Sequence, residues 1–155
     1  MKKFLFLLLA LSAMFTTACS SVPDGAKKPE MKITDLTFAS ENNVQGFNVD
    51  YTVVHNTPEP LPVDTIKIKI YLNHKQAADF IFDASDMLIP PHHDNHYTQF
   101  VPANLLPKVS AASLVNSPML KLQGKAELDL IIDDGSKAFL NQHDVYEGLI
   151  HAAGE

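Results

Sequence analysis

The chain has 155 residues, 46% of them hydrophobic and 19% charged, enough for one domain with its own core. Twelve basic residues, every one a Lys, stand against 18 Asp and Glu for a formal charge of −6; an acidic chain without arginine lacks the basic surface and the guanidinium groups that nucleic-acid binding uses. A single Cys excludes an internal disulfide and any multi-cysteine zinc site.

At the N-terminus Lys2-Lys3 precede an apolar run, Phe4 to Phe15, interrupted only by Ser12. A spanning helix needs about 20 apolar residues, so the shorter run reads as the h-region of a signal peptide over residues 1–18. Thr17-Ala18-Cys19 resembles the bacterial lipobox, in which small residues precede an invariant Cys. That resemblance implies diacylglyceryl transfer to the Cys19 thiol, cleavage before Cys19 and acylation of the new amine. Acyl chains held at about 0.8 kcal/mol per buried methylene make a lasting membrane anchor. Ser20 after the Cys implies sorting to the outer membrane, facing the periplasm. Cleavage removes two lysines and no acid, and lipidation leaves no thiol for catalysis.

Residues 19–30 contain Ser20-Ser21, Pro23, Gly25 and Pro29 and read as a flexible tether. The domain proper is predicted over 31–148. Phe47, Val49, Tyr51 and Val53 alternate with polar residues, as do Ile66, Ile68, Ile70 and Leu72, and then Leu128, Leu130 and Ile132. Such period-two patterns mark strands with one face on a core and one in water. Weaker strands are predicted at Met31–Ala39, Gln76–Phe82, His96–Val101 and Ala138–His143. Turn signals at Asn42-Asn43, Asn56 to Pro60, Pro90-Pro91 and Asp134-Gly135 separate them, the last as a two-residue hairpin. Pro107–Asn116 is predicted helical, with Val109, Ala112 and Val115 at three-residue spacing. A second short helix is placed at Asp144–Ala153, the chain ending in a tail over 149–155. Seven or so short strands without βα alternation predict an all-β, fibronectin type III or immunoglobulin-like antiparallel sandwich with one short helix. Lys67 and Lys69 are expected on a solvated face, where they also discourage edge-to-edge pairing.

One cluster invites a chemical reading: Pro90-Pro91-His92-His93-Asp94-Asn95-His96. His and Asp are ligands for zinc or copper, but neighbours in an extended segment point to opposite faces, so His92, His93 and His96 are expected in a polar loop with no metal site. The histidines at 55, 74, 143 and 151 are read as solvated loop or strand-end residues. There is no Gly-x-Ser-x-Gly elbow and no clustered glycine loop for phosphate. Asp133-Asp134 falls in a turn, and Asp79, Asp83 and Asp86 lack the spacing and glycine of an EF-hand. No catalytic residue and no cofactor is expected, and the chain is read as a non-enzyme.

Several stretches together resemble the type 2 late-embryogenesis-abundant (LEA type 2) or WHy domain. These are the strand Phe47–Val54 running into His55-Asn56-Thr57-Pro58-Glu59-Pro60-Leu61-Pro62, then Ile68–Asn73 leading to His74-Lys75-Gln76. Leu88-Ile89-Pro90-Pro91, with Phe100-Val101-Pro102 after it, and Leu120-Lys121-Leu122-Gln123-Gly124 complete the set. The resemblance spans about Met31 to His143. It implies a fibronectin-like sandwich without catalysis, tied to tolerance of drying or other stress. Two functions stay open: a lipid-anchored protective or binding domain in envelope or desiccation stress, and a structural or assembly lipoprotein that docks an envelope protein, by strand addition at a free edge.

Overall fold

A computed structural model describes residues 28–106, 113, 122–133 and 140–152. The signal peptide, Cys19 and most of the tether lie outside the described residues. So does the expected helix Pro107–Asn116, apart from Ser113.

The alternating runs form strands, and two sheets face one another. In the first, β1 (Glu30–Glu41) and β2 (Val44–Val54) make a hairpin, β6 (Asn95–Pro102) pairs with the far side of β2, and two residues of β9 (His151–Ala152) run parallel to β1. In the second, β3 (Leu61–Leu72) pairs with β4 (Lys75–Asp83) on one side and β7 (Gln123–Ile132) on the other. There β8 (Gln142–Leu149) lies beyond β7, and the short β5 (Leu88–Ile89) adds to the start of β3. This is the all-β sandwich the sequence predicts.

Both tight hairpins turn on residues with positive φ, which matches the strand twist: Asn42 and Asn43 at 49° and 64°, and Asn73 and His74 at 46° and 66°. In β1 a bulge at Thr34 inserts one residue, so Ile33 before it and Leu36 after it both face inward. The inner faces interlock between the sheets: Phe47, Val49 and Val53 from β2, Ile68 and Ile70 from β3, and Leu128 and Leu130 from β7 are fully buried. Phe38 meets Phe47 edge-on with ring centroids 6.0 Å apart.

Several expectations need correction. Asp144–Ala153 is not helical over its described residues, 144–152: they supply most of β8 and all of β9, because pairing with β7 from Leu130↔Gln142 to Gln123↔Leu149 decides the conformation of a segment with no strong period of its own. Of the strand expected at Ala138–His143, Leu140 and Asn141 precede β8, which starts at Gln142. Asp134-Gly135 itself lies outside the described residues. Finally, Lys67 and Lys69 guard no edge, since β3 is central. Lys69 lies between Asp79 and Glu127, and Lys67 between Ile81 and Asp129, an arrangement of cross-strand charges.

Residues 149–152 of the stretch read as a tail are built into the sandwich. Ile150 is buried, its N–H donates to the Leu122 carbonyl, and the chain crosses there from the second sheet to the first. Gly124 makes room for it: a Cβ there would come 2.3 Å from Ile150 Cγ1. At β4, an edge strand among the described residues, the Asn104 side chain stands in for a neighbouring strand. Its Oδ1 accepts from the Asp79 N–H (3.2 Å), its Nδ2 donates to the Asp79 carbonyl (3.4 Å), and next to it the Leu105 N–H reaches the Ala77 carbonyl at 3.1 Å.

Candidate functional site

The strand register collects one set of segments at one end of the sandwich. Glu30 lies opposite Val54, Asn95 opposite Val53, Leu61 opposite Ile89, and Val63 opposite Ile132. This end therefore carries the first described residues, the loop after β2, and the histidine-rich loop between β5 and β6.

His55 organises it. Phe47, Val49, Tyr51, Val53 and His55 continue one alternation, so the ring turns inward, 3% exposed, where a solvated position was expected. The signal was present in the phase of β2, which runs one step past its last hydrophobic residue. Nε2 lies 2.9 Å from the Ile89 carbonyl and Nδ1 2.7 Å from Thr57 Oγ1. The His55 carbonyl accepts the His92 N–H at 3.0 Å. One residue thus ties the loop after β2 to β5 and to the following loop, and a buried imidazole is kept fully hydrogen-bonded.

The 90–95 loop is closed by Asn95, whose Nδ2 is within 3.2 Å of the Val53 carbonyl and 3.0 Å of the Pro90 and His93 carbonyls. His92 takes a positive φ of 61° and is exposed, as are His93 and Asp94. His96 lies on β6 opposite Thr52 and is likewise exposed. The structure does not bring His92, His93 and His96 together, and among the described residues no three His, Cys, Asp or Glu form a metal-ligand cluster. Asp79, Asp83 and Asp86 are all exposed. The Asp83 carboxyl sits below its ordinary pKa because it accepts hydrogen bonds from the backbone and side chain of Ser85.

Two clefts open beside this end. The larger, about 890 Å³, runs between β1 and β8, with Glu30, Met31 and Lys32 on one wall and Asp144, Tyr146 and Glu147 on the other. Asp144 Oδ2 spans it to accept the Ile33 N–H at 2.7 Å, joining the two sheets. Burial raises the Tyr146 phenol, and the Asp35 charge adds to the effect. The smaller cleft, about 360 Å³, lies between Lys28, Glu30, Val54, His55, Asn56 and His92. The β1–β8 cleft is invisible to local sequence patterns, since Ile33 and Asp144 are 111 positions apart.

On the outer face of the second sheet, Lys125 Nζ lies 2.7 Å from Glu127 Oε1 and 5.6 Å from the Tyr71 ring centroid. His143 Nδ1 lies 2.7 Å from Asp129 Oδ1, and both side chains are about half exposed. Exposed pairs of this kind contribute at most about 1 kcal/mol each and make a solvated charged surface. Among the described residues no helix is long and apolar enough to cross a membrane.

These observations define a two-sheet β-sandwich whose N-terminal end is organised by a buried histidine. The fold is that of LEA-like domains. A solution structure described as a late embryogenesis abundant protein superposes with a TM-score of 0.60 at 11% identity, covering 98% of this chain and 88% of that one. A solution structure of an Arabidopsis thaliana protein superposes with a TM-score of 0.56 at 13% identity, covering 85% and 90%. No family model and no curated protein sequence matches the chain.

Proposed function

We propose that this protein is a non-enzymatic LEA type 2-like domain, lipid-anchored through Cys19 and facing the periplasm from the outer membrane, with a protective or binding role in desiccation or envelope stress. The observation that carries the reading is the pairing of two independent features: a lipobox-like Thr17-Ala18-Cys19 after a short apolar run, and an LEA-like sandwich beginning soon after it. From Cys19 to Lys28 the chain can extend about 30 Å at most. An anchor at Cys19 would therefore hold the His55 end of the sandwich toward the bilayer and turn the Asn42-Asn43 and Asn73-His74 hairpins outward.

The test is intact mass after detergent extraction of wild type and Cys19→Ala expressed in a Gram-negative host. A mass fitting residues 19–155 plus acyl chains, with the variant unprocessed or water-soluble, supports the anchor. A mature wild type without acyl chains overturns it.

A second reading is favoured by the outer edge of β8. Among the described residues it has no neighbouring strand, and Val145 and Leu149 are 41% and 55% exposed along it. On this reading the sandwich docks an envelope protein by strand addition. One stoichiometric partner captured by crosslinking in intact envelopes favours docking; none favours the protective domain.

A further inference from the structure

His55 is a buried titratable group that neither reading above uses. A carbonyl oxygen only accepts, so the 2.9 Å contact with Ile89 requires the hydrogen on Nε2. The other nitrogen has two choices. Thr57 Oγ1 lies 2.7 Å from Nδ1 and 3.1 Å from the Glu59 carbonyl, but the hydroxyl has a single hydrogen. If Thr57 donates to Nδ1, the ring is neutral. If Thr57 donates to Glu59, Nδ1 carries a second proton, donates it to Oγ1, and the ring is a cation. Each arrangement gives both ring nitrogens a partner, and the two differ only in a hydroxyl rotation and one proton.

We infer that His55, Thr57 and the Glu59 carbonyl form a built-in proton site, in which rotation of one hydroxyl lets a buried imidazole change charge in place. The cleft of about 360 Å³ that His55 helps to line offers a proton a route. Glu30, whose charge favours the cation, and Lys28, which opposes it, line the same cleft as His55. His92 faces it from the 90–95 loop and opposes it when charged, while Glu59 on its own loop has an exposed side chain. β5 contributes only Leu88 and Ile89. In acid the bond to Ile89 becomes charge-assisted, shorter and stronger, so the site tightens the tie between the loop after β2 and β5. The device does not depend on lipid anchoring.

The experiment follows the imidazole nitrogens of the full chain in detergent, labelled with ¹⁵N at histidine, by long-range ¹H–¹⁵N spectra from pH 8 to pH 5. His55 is expected as the Nε2–H form at the alkaline end and to gain an Nδ1 proton in acid, with its Nε2 proton still slow to exchange. Thr57→Val leaves a charged donor without an acceptor and moves proton uptake about one pH unit or more lower, while Thr57→Ser restores it. A neutral ring protonated on Nδ1, an unchanged midpoint in Thr57→Val, or proton uptake coinciding with rapid exchange at Nε2 would each overturn the inference. The wild-type spectra decide the matter even if Thr57→Val does not fold, because a His55 ring still neutral at pH 5 also overturns the inference.

Discussion

Gly124 is a position where a single added methyl group should be damaging for its size. Replacing Gly by Ala within a strand normally helps by about 0.5–1 kcal/mol, because the unfolded chain has less freedom to lose. Here the added Cβ would lie 2.3 Å and 2.4 Å from Ile150 Cγ1 and Cδ1, and 3.0 Å from Leu36 Cδ2. Ile150 is 8% exposed where the chain crosses between sheets, so it has little room to withdraw. Overpacking of this kind costs about 1–3 kcal/mol and reverses the sign of the backbone benefit. Ile150→Ala alone should cost about 2–4 kcal/mol by opening a cavity. In the double variant the new methyl occupies part of that cavity, so the combined loss should fall short of the additive value by about 1–3 kcal/mol. Urea unfolding of the four proteins, followed by tyrosine fluorescence, measures the cycle. A stabilised Gly124→Ala, or strict additivity, would show that Ile150 does not seat against Gly124 and that the crossover into β9 is wrongly placed.

Three other outcomes are expected. Asp144→Ala strands the Ile33 N–H between the sheets and should lower unfolding free energy by about 1–3 kcal/mol, with Asp144→Asn recovering part of it; denaturation midpoints decide this. His74→Gly should stabilise by about 0.5–1 kcal/mol, because His74 holds a φ of 66° that costs a side chain more than it costs glycine; a lower melting temperature would contradict the strain. The Tyr51 phenol is raised well above its ordinary pKa, mainly by burial and further by Tyr97, so it stays protonated where the unfolded chain ionises. Stability is then fully held below about pH 10 and lost as pH climbs beyond it. Tyr51→Phe should flatten that decline between pH 9 and pH 11.5 without abolishing it, since Tyr97 and Tyr146 are also raised.

What the sequence reveals is what strands declare locally. Phe47 to Val53, Ile66 to Leu72 and Leu128 to Ile132 carry their buried face in their spacing, and all three occupy it. Strand β8 could not be read this way. Its inward positions, Gln142, Asp144, Tyr146 and Gly148, are polar, small or amphipathic, so no hydrophobic alternation marks them, and the register comes from β7. Lysines 67 and 69 show the same limit, because alternation reveals which face a residue takes but not whether its strand is central. His55 is legible in principle, since it keeps the phase of β2, but a polar ring at a strand end carries no hydrophobic signal of burial. The β1–β8 cleft depends wholly on long-range contact.

The amide of Asn104 on the edge of β4 has a bearing on how many molecules can share a small volume. Unpaired strands are templates, and a sandwich carries some on each flank. By satisfying the donor and acceptor of Asp79, and with Leu105 occupying Ala77, this stretch leaves β4 no run of free peptide groups long enough to seed a continuous ladder beside exposed Ile81. A single carboxamide acts as the end stop at this edge of the sheet, where an unpaired strand would otherwise invite another copy to join.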